Sequence, residues 1–437
     1  DTYNTAVGYS AGGTITTGTE NTLIGGLAGD ALTVAFYNTA VGYNALTQDL
    51  KGLGNTAIGH GTLATQQFGG STNSNNTAVG LAAGTGITTG IKNTLIGALV
   101  GDALADADEN VAVGWGALST DTLGSGSVAI GKDALVSQNF TSATVTYNVA
   151  VGLGAGLAVT TGIRNTLIGA AAGDAIQDAD ENEAIGYAAL STNVLGSGSV
   201  AVGSFALNLQ NPASAVTMYN TAVGNGAGAA ITTGIENTFV GGLAGDGTDD
   251  GAENTAVGSS ALSGNCGNAN TAVGRMALRI ATGTSNTALG HQAAIGLTSG
   301  INNTFVGKSA GDTTTTGGTN TSLGYRAMGG TGAKTGNTNV AIGSDTLYVM
   351  TSGANNTAVG YDAGGSVTSG TNNLLLGKSS GLSGSPGGAV STGSNDIVLG
   401  DGNIDTAHIQ VDWTVASDAR DKTDFTALDL GLDFVKA

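Results

Sequence analysis

The chain has 437 residues, with 76 Gly, 2 Pro, 5% aromatic residues and a formal charge of −19. High glycine without a three-residue period excludes a collagen helix, and 40% hydrophobic content excludes a disordered chain. Basic residues are scattered singly, so no nucleic-acid partner is expected; no apolar run reaches the roughly 18 residues of a membrane-inserted span, and the single Cys266 excludes an internal disulfide.

A phrase of the form Asn-Thr-Ala-Val-Gly recurs along almost the whole chain. It begins at Asn4, Asn21, Asn38, Asn55, Asn76, Asn93, Asn110, Ser127, Asn148, Asn165, Asn182, Ser199 and Asn220. The intervals run 17, 17, 17 and 21, three times over, which makes a 72-residue block. Later starts at Asn237, Asn254, Asn270, Asn286, Asn303, Asn320, Asn339, Asn356 and Asn373 are looser, with a degenerate copy at Asn395. Such repetition signifies one small unit stacked on itself. The text opens mid-repeat at Asp1-Thr2-Tyr3-Asn4, so a longer parent protein is expected.

Within the first coil, Thr5-Ala6-Val7-Gly8 reads as a short strand with alternating faces. Tyr9–Gly12 turns the chain, and Gly13-Thr14-Ile15-Thr16 reads as a second strand before Gly18 turns it again. Repeated Gly suits positive φ or close backbone approach, and the coil-opening Asn suits a ladder whose amides bond turn backbone in adjacent coils. No helical period appears before about residue 423. Twenty-three starts stacked at the interstrand distance give a shaft about 105 Å long. A coil this thin is expected to enclose little core, which points to lateral association of several chains.

Ser127-Val128-Ala129-Ile130-Gly131 followed by Ala134, with its Asn-Thr-Ala-Val-Gly variants, resembles the head repeat of trimeric autotransporter adhesins. The resemblance covers roughly residues 1–400. It implies an all-β, parallel β-roll or solenoid of about 23 short coils, left-handed and homotrimeric. Coils of 17 or 21 residues are longer than the usual adhesin coil.

After residue 400 the text changes. His408–Val415 alternates like a strand, making 401–416 a connecting segment. Ser417-Asp418-Ala419-Arg420-Asp421-Lys422, followed by an amphipathic Thr426–Val435, resembles the entry to the intramolecular chaperone domain of endosialidase-type phage tailspikes and tail fibres. That resemblance makes 417–437 the start of a trimerising chaperone that releases itself by cutting Ala416–Ser417. Ser417 would be the nucleophile and Lys422 its base, with Asp418 and Arg420 orienting the site. A desolvated Lys that loses its proton near neutral pH can activate a hydroxyl in this way.

Other candidates read as structure. Gly-Asp pairs at Asp30, Asp102, Asp174, Asp246 and Asp312, with Asp106, Asp108, Asp178 and Asp180, suit turns facing water, and no calcium nonapeptide pattern accompanies them. His60, His291 and His408 stand alone, without metal-ligand spacing, and Cys266 has no His-Asp partner in sequence. Thr pairs at 16–17, 88–89 and 160–161 recur once per block, too sparsely for an ice-binding face. Arg275 and Arg279 fall where the coil shortens to 16 residues and read as a solvated pair. No metal, no cofactor and no enzymatic activity is expected in the shaft, since its carboxylates form no unique facing pair.

The expected function is therefore structural. The chain reads as a virion tail fibre that projects a host-attachment element toward a surface receptor or glycan. The alternative is a bacterial adhesin or extracellular filament subunit, which would continue into a coiled-coil stalk and membrane anchor.

Overall fold

A computed structural model describes residues 3–408. Two compact units divide after Asp401. The first is a parallel β-solenoid of about 22 turns, built on one 23-stranded sheet, with no helix among the described residues. In the second, the described residues Gly402–His408 are exposed and carry no strand or helix.

Each coil contributes one three-residue strand, beginning with Thr5–Val7, Thr22–Ile24 and Thr39–Val41. Every strand pairs in parallel with its equivalent in the next coil, in unshifted register: Thr5 faces Thr22, Ala6 faces Leu23 and Val7 faces Ile24. Side chains alternate, so the middle residue points inward while the first and third point out. Leu23, Ala40, Ala57 and Ala78 are accordingly fully buried.

The glycine that closes each strand is a stacking requirement. Gly8 and Gly25 have φ of +134° and +133°, and a Cβ on Gly8 would lie well inside van der Waals contact with the carbonyl of Gly25. Only a residue without a side chain permits both the dihedral and the approach.

The coil-opening Asn does two jobs. The Asn165 backbone N–H donates to Asn148 Oδ1 of the preceding coil (2.9 Å), and Asn165 Nδ2 donates to the Ala179 carbonyl of its own coil (2.8 Å). Asn356 does the same at 3.0 and 2.9 Å. Each amide thus closes its own loop and binds it to the one before, which pairs these buried side chains, although Nδ2 of Asn254, in a 16-residue coil, finds no partner. The expected Asn ladder is present along the stack.

Three sequence expectations need correction. Gly13–Thr16 forms no strand, because Gly12 at φ +60° and the Ile15 N–H to Gly12 carbonyl bond (3.2 Å) bend it into a tight turn. A second strand occurs only where 21-residue coils meet their predecessors, as at Gly52–Leu53 with Thr72–Asn73. The last copy of the repeat is shifted by one: Asp396, not Asn395, donates its N–H to Asn373 Oδ1 (2.9 Å) and precedes the strand Ile397–Leu399. Third, the interior closes within a single chain, since Leu23, Ala28 and Leu32 of one coil are all fully buried. The case for lateral association therefore moves from a missing core to the outer surface.

The 72-residue block is a packing code. Coils opening at Asn4 and Asn21 carry Gly12 and Gly29, each followed three residues later by Ile15 or Leu32. The next two carry Leu46 and Leu63, followed by Asp49 and Gln66. A Cβ at Gly29 would lie 2.7 Å from Leu32 Cδ1 and 2.8 Å from Leu23 Cδ2, so small and large residues exchange places to keep the volume filled. Two apolar layers thus alternate with two layers that hold a buried polar network.

Candidate functional site

That network is structural in geometry. Gln66 Nε2 donates to Asp49 Oδ2 (2.7 Å), the Gly52 N–H donates to Asp49 Oδ1 (3.0 Å), and Asn76 Nδ2 donates to Gln66 Oε1 (2.9 Å). Burial pushes the Asp49 carboxyl up, and these donors pull it partly back. In the next block, Gln138 Nε2 donates to Asp121 Oδ2 (2.6 Å) and to Ser127 Oγ (2.9 Å). Ser127 replaces the ladder Asn there, and Gln138 fills the space the shorter side chain leaves.

Two outward features run the length of the stack. The first is the sheet face. The third strand residue is aliphatic in all 23 coils, from Val7 and Ile24 to Leu376 and Leu399. Ile24, Ile96 and Leu289 remain 40%, 41% and 48% exposed. Thr leads most strands beside them, and Glu183 is the sole charge on the face.

The second feature is an edge column formed by the residue that follows the strand-closing glycine. Backbone bonds hold it in register, with the Leu27 N–H donating to the Tyr9 carbonyl (2.8 Å) and the Gly61 N–H to the Tyr43 carbonyl (2.9 Å). Tyr43 stacks on His60 with centroids 5.5 Å apart, and Lys132 Nζ lies 5.3 Å from the Trp115 ring.

Ser417, Asp418, Arg420 and Lys422, and the Ala416–Ser417 bond, lie outside the described residues. His60 and His291 are exposed on the edge column, and no group of three metal-capable side chains occurs among the described residues. The Gly-Asp carboxylates face inward more than turn chemistry suggests. Asp30 Oδ1 accepts from Thr47 Oγ1 (2.6 Å), whereas one oxygen each of Asp102, Asp174, Asp246 and Asp312 finds no hydrogen-bond partner. Burial pushes the Asp102, Asp174 and Asp312 carboxyls up. Cys266 is buried beside Thr248 Oγ1 at 3.2 Å, and desolvation raises its thiol.

Sequence reasoning missed Lys334. It is fully buried, and its Nζ donates to the Tyr348 and Met350 carbonyls at 2.9 and 2.8 Å. Desolvation lowers its pKa to about 8. Only its place in a run of Gly and Thr, with no nearby acid in sequence, hinted at anything unusual.

No family model matches the chain, and no curated protein matches it significantly.

Proposed function

We propose that this chain is the shaft of a homotrimeric fibre, a virion tail fibre that holds a host-attachment element away from its base. The observation that carries the reading is the unbroken parallel ladder of 23 strands in unshifted register. Such a ladder transmits length and stiffness. The outer aliphatic row supports pairing of copies: 23 ranks about 4.8 Å apart and about 10 Å wide amount to about 1,000 Å² per chain. A stable protein interface needs about 800 Å² per partner. Three chains winding left-handed about one axis, each turning this face inward, would cover it.

Residues 417–437 would then open the assembly chaperone. A repeated strand can slip by one coil at small cost, and a terminal trimerising domain removes that degeneracy. Ser417, activated by Lys422, would release the domain once registration is complete.

Sedimentation velocity with electron microscopy tests the shaft: trimeric rods are expected. Ile168→Lys with Val240→Lys, both on the outer face, should give folded monomers. A monomeric wild type would overturn the trimer. Intact mass of a version extended through the chaperone tests release, with species separated at Ala416 in wild type and none in Ser417→Ala.

A further inference from the structure

The edge column changes character in the second half of the stack. Seven successive coils, opening at Asn270 through Asn373, place Arg275, His291, Lys308, Tyr325, Ser344, Tyr361 and Lys378 at the same position. Backbone bonds join them without a gap: the Gln292 N–H donates to the Arg275 carbonyl (3.0 Å), Ser309 to His291 (3.0 Å), Arg326 to Lys308 (3.1 Å), Asp345 to Tyr325 (3.0 Å), Asp362 to Ser344 (3.0 Å) and Ser379 to Tyr361 (2.8 Å). All but Ser344 are exposed.

The order alternates. Odd coils carry Arg275, Lys308, Ser344 and Lys378, while even coils carry the rings of His291, Tyr325 and Tyr361. Charge is concentrated here as well. Residues 270–378 hold six Lys and Arg against three Asp, a local +3, whereas the rest of the chain holds seven against 29 acids, or −22. One of the six, Lys334, is buried, and Arg326 flanks the column. The Arg326 guanidinium lies 5.5 Å from the Tyr325 ring and 4.3 Å from that of Tyr348, and its Nε pairs with Asp345 at 3.0 Å. Those contacts fix the Tyr325 ring and neutralise the nearest acid, leaving Asp362 as the other carboxylate beside the column.

We propose that this column binds a linear anionic polysaccharide laid along the stack, one sugar per coil, with an acidic sugar at every second position. Coils repeat at about 4.8 Å and the cation–ring pattern at about 9.6 Å. These spacings are close to one pyranose and one disaccharide of an extended glycan. Lys308 Nζ lies 5.9 Å from the Tyr325 ring centre, so those two present an ammonium and an aromatic surface together. The exposed Tyr361 offers a flat face to the C–H side of a neutral sugar, and Arg275 and Lys378 meet carboxylates or sulfates. One cation for every two coils is too sparse for a nucleic acid with a phosphate on each unit.

The inference deepens the attachment reading but needs only the single-chain stack, so the two can fail separately. Calorimetric titration of the whole protein would use hyaluronan and chondroitin octasaccharides, with cello-octaose and a twelve-nucleotide DNA strand as comparators. At least one alternating uronate glycan should bind at least tenfold more tightly than either comparator and weaken as salt rises. Arg275→Ser with Lys308→Ser should lose at least tenfold. Tyr325→Ser with Tyr361→Ser should lose a similar factor even at high salt. Tyr43→Ser with Lys132→Ser, on the first-half edge, should change nothing. Equal binding of cello-octaose, preference for DNA, no binding of either uronate glycan, or full affinity in both column variants would overturn the proposal. Rod formation followed by microscopy on the same samples reports the fibre reading independently.

Discussion

Residues 4–219 and 220–399 build the same sheet from different text. In the first stretch three blocks repeat one four-coil interior, with Asp49, Asp121 and Asn193 at one polar layer and Gln66, Gln138 and Gln210 at the next. In the second the intervals wander, and the interior mixes fully buried bulky residues such as Phe239 and Phe305 with isolated buried polar ones such as Thr248, Thr314 and Lys334. The ladder ignores the difference. In a 16-residue coil Asn270 Nδ2 reaches the Gly283 carbonyl (3.0 Å), thirteen residues on, and in a 19-residue coil Asn320 Nδ2 reaches Gly336 (2.9 Å), sixteen on. Their backbone N–H groups still donate to Asn254 and Asn303 at 2.9 and 3.0 Å. Length is therefore absorbed on the far side of the coil, while the Asn and its strand set the register.

A change to the shared unit should erase the difference between halves. Gly152→Val and Gly307→Val each place a side chain against the carbonyl of the next coil, at φ of +144° and +132°. Both should cost on the order of 4 kcal/mol or split the stack locally. Hydrogen exchange would show deprotection of the coils on either side. Wild-type protection in one half would mean that stacking there does not depend on the glycine.

The next effect should be confined to the first stretch. Gln138→Leu removes the donor to Asp121 Oδ2 and the acceptor for one N–H of Asn148 Nδ2 (2.9 Å), whose other N–H keeps the Gly162 carbonyl (2.8 Å). The cost should be about 3 kcal/mol. Ile176→Val, in an apolar layer of the same stretch, should cost only about 1 kcal/mol. Similar losses in urea melts would show that the polar layers carry no special burden.

Much of this fold is legible as text. The Asn-Thr-Ala-Val-Gly phrase states the strand, the ladder and the stacking glycine in five letters, because each requires one residue type at one place. The far side of the coil is less legible: Gly13–Thr16 reads as a strand, but left-handed corners there are occupied by ordinary residues such as Ser10 at φ +52° and Leu27 at φ +59°. The edge column was also hidden. Arg275, Lys308 and Tyr325 look scattered in one dimension and become neighbours only when coils of 16 and 17 residues are laid over one another. Ser417 and Lys422, legible only by resemblance, fall outside the described residues.

The smallest effect belongs to Lys334 and to the second stretch alone. Its ammonium has two carbonyl acceptors but little water, so the folded chain holds that proton more weakly than the unfolded one, at about 8 against 10.5. Below about pH 8 both states keep the proton, and above 10.5 both have lost it. Between those limits the unfolded chain binds more protons, so stability rises with pH across that window. Asp312, whose charge favours the ammonium, limits the size of the rise. Tyr side chains titrate in the same range, and Lys334→Met shares them, so the informative quantity is the difference between the two urea midpoints. Wild type should gain on Lys334→Met steadily from pH 8 to pH 10. Parallel curves would mean that Lys334 is solvated, and that the second stretch opens where its interior is most charged.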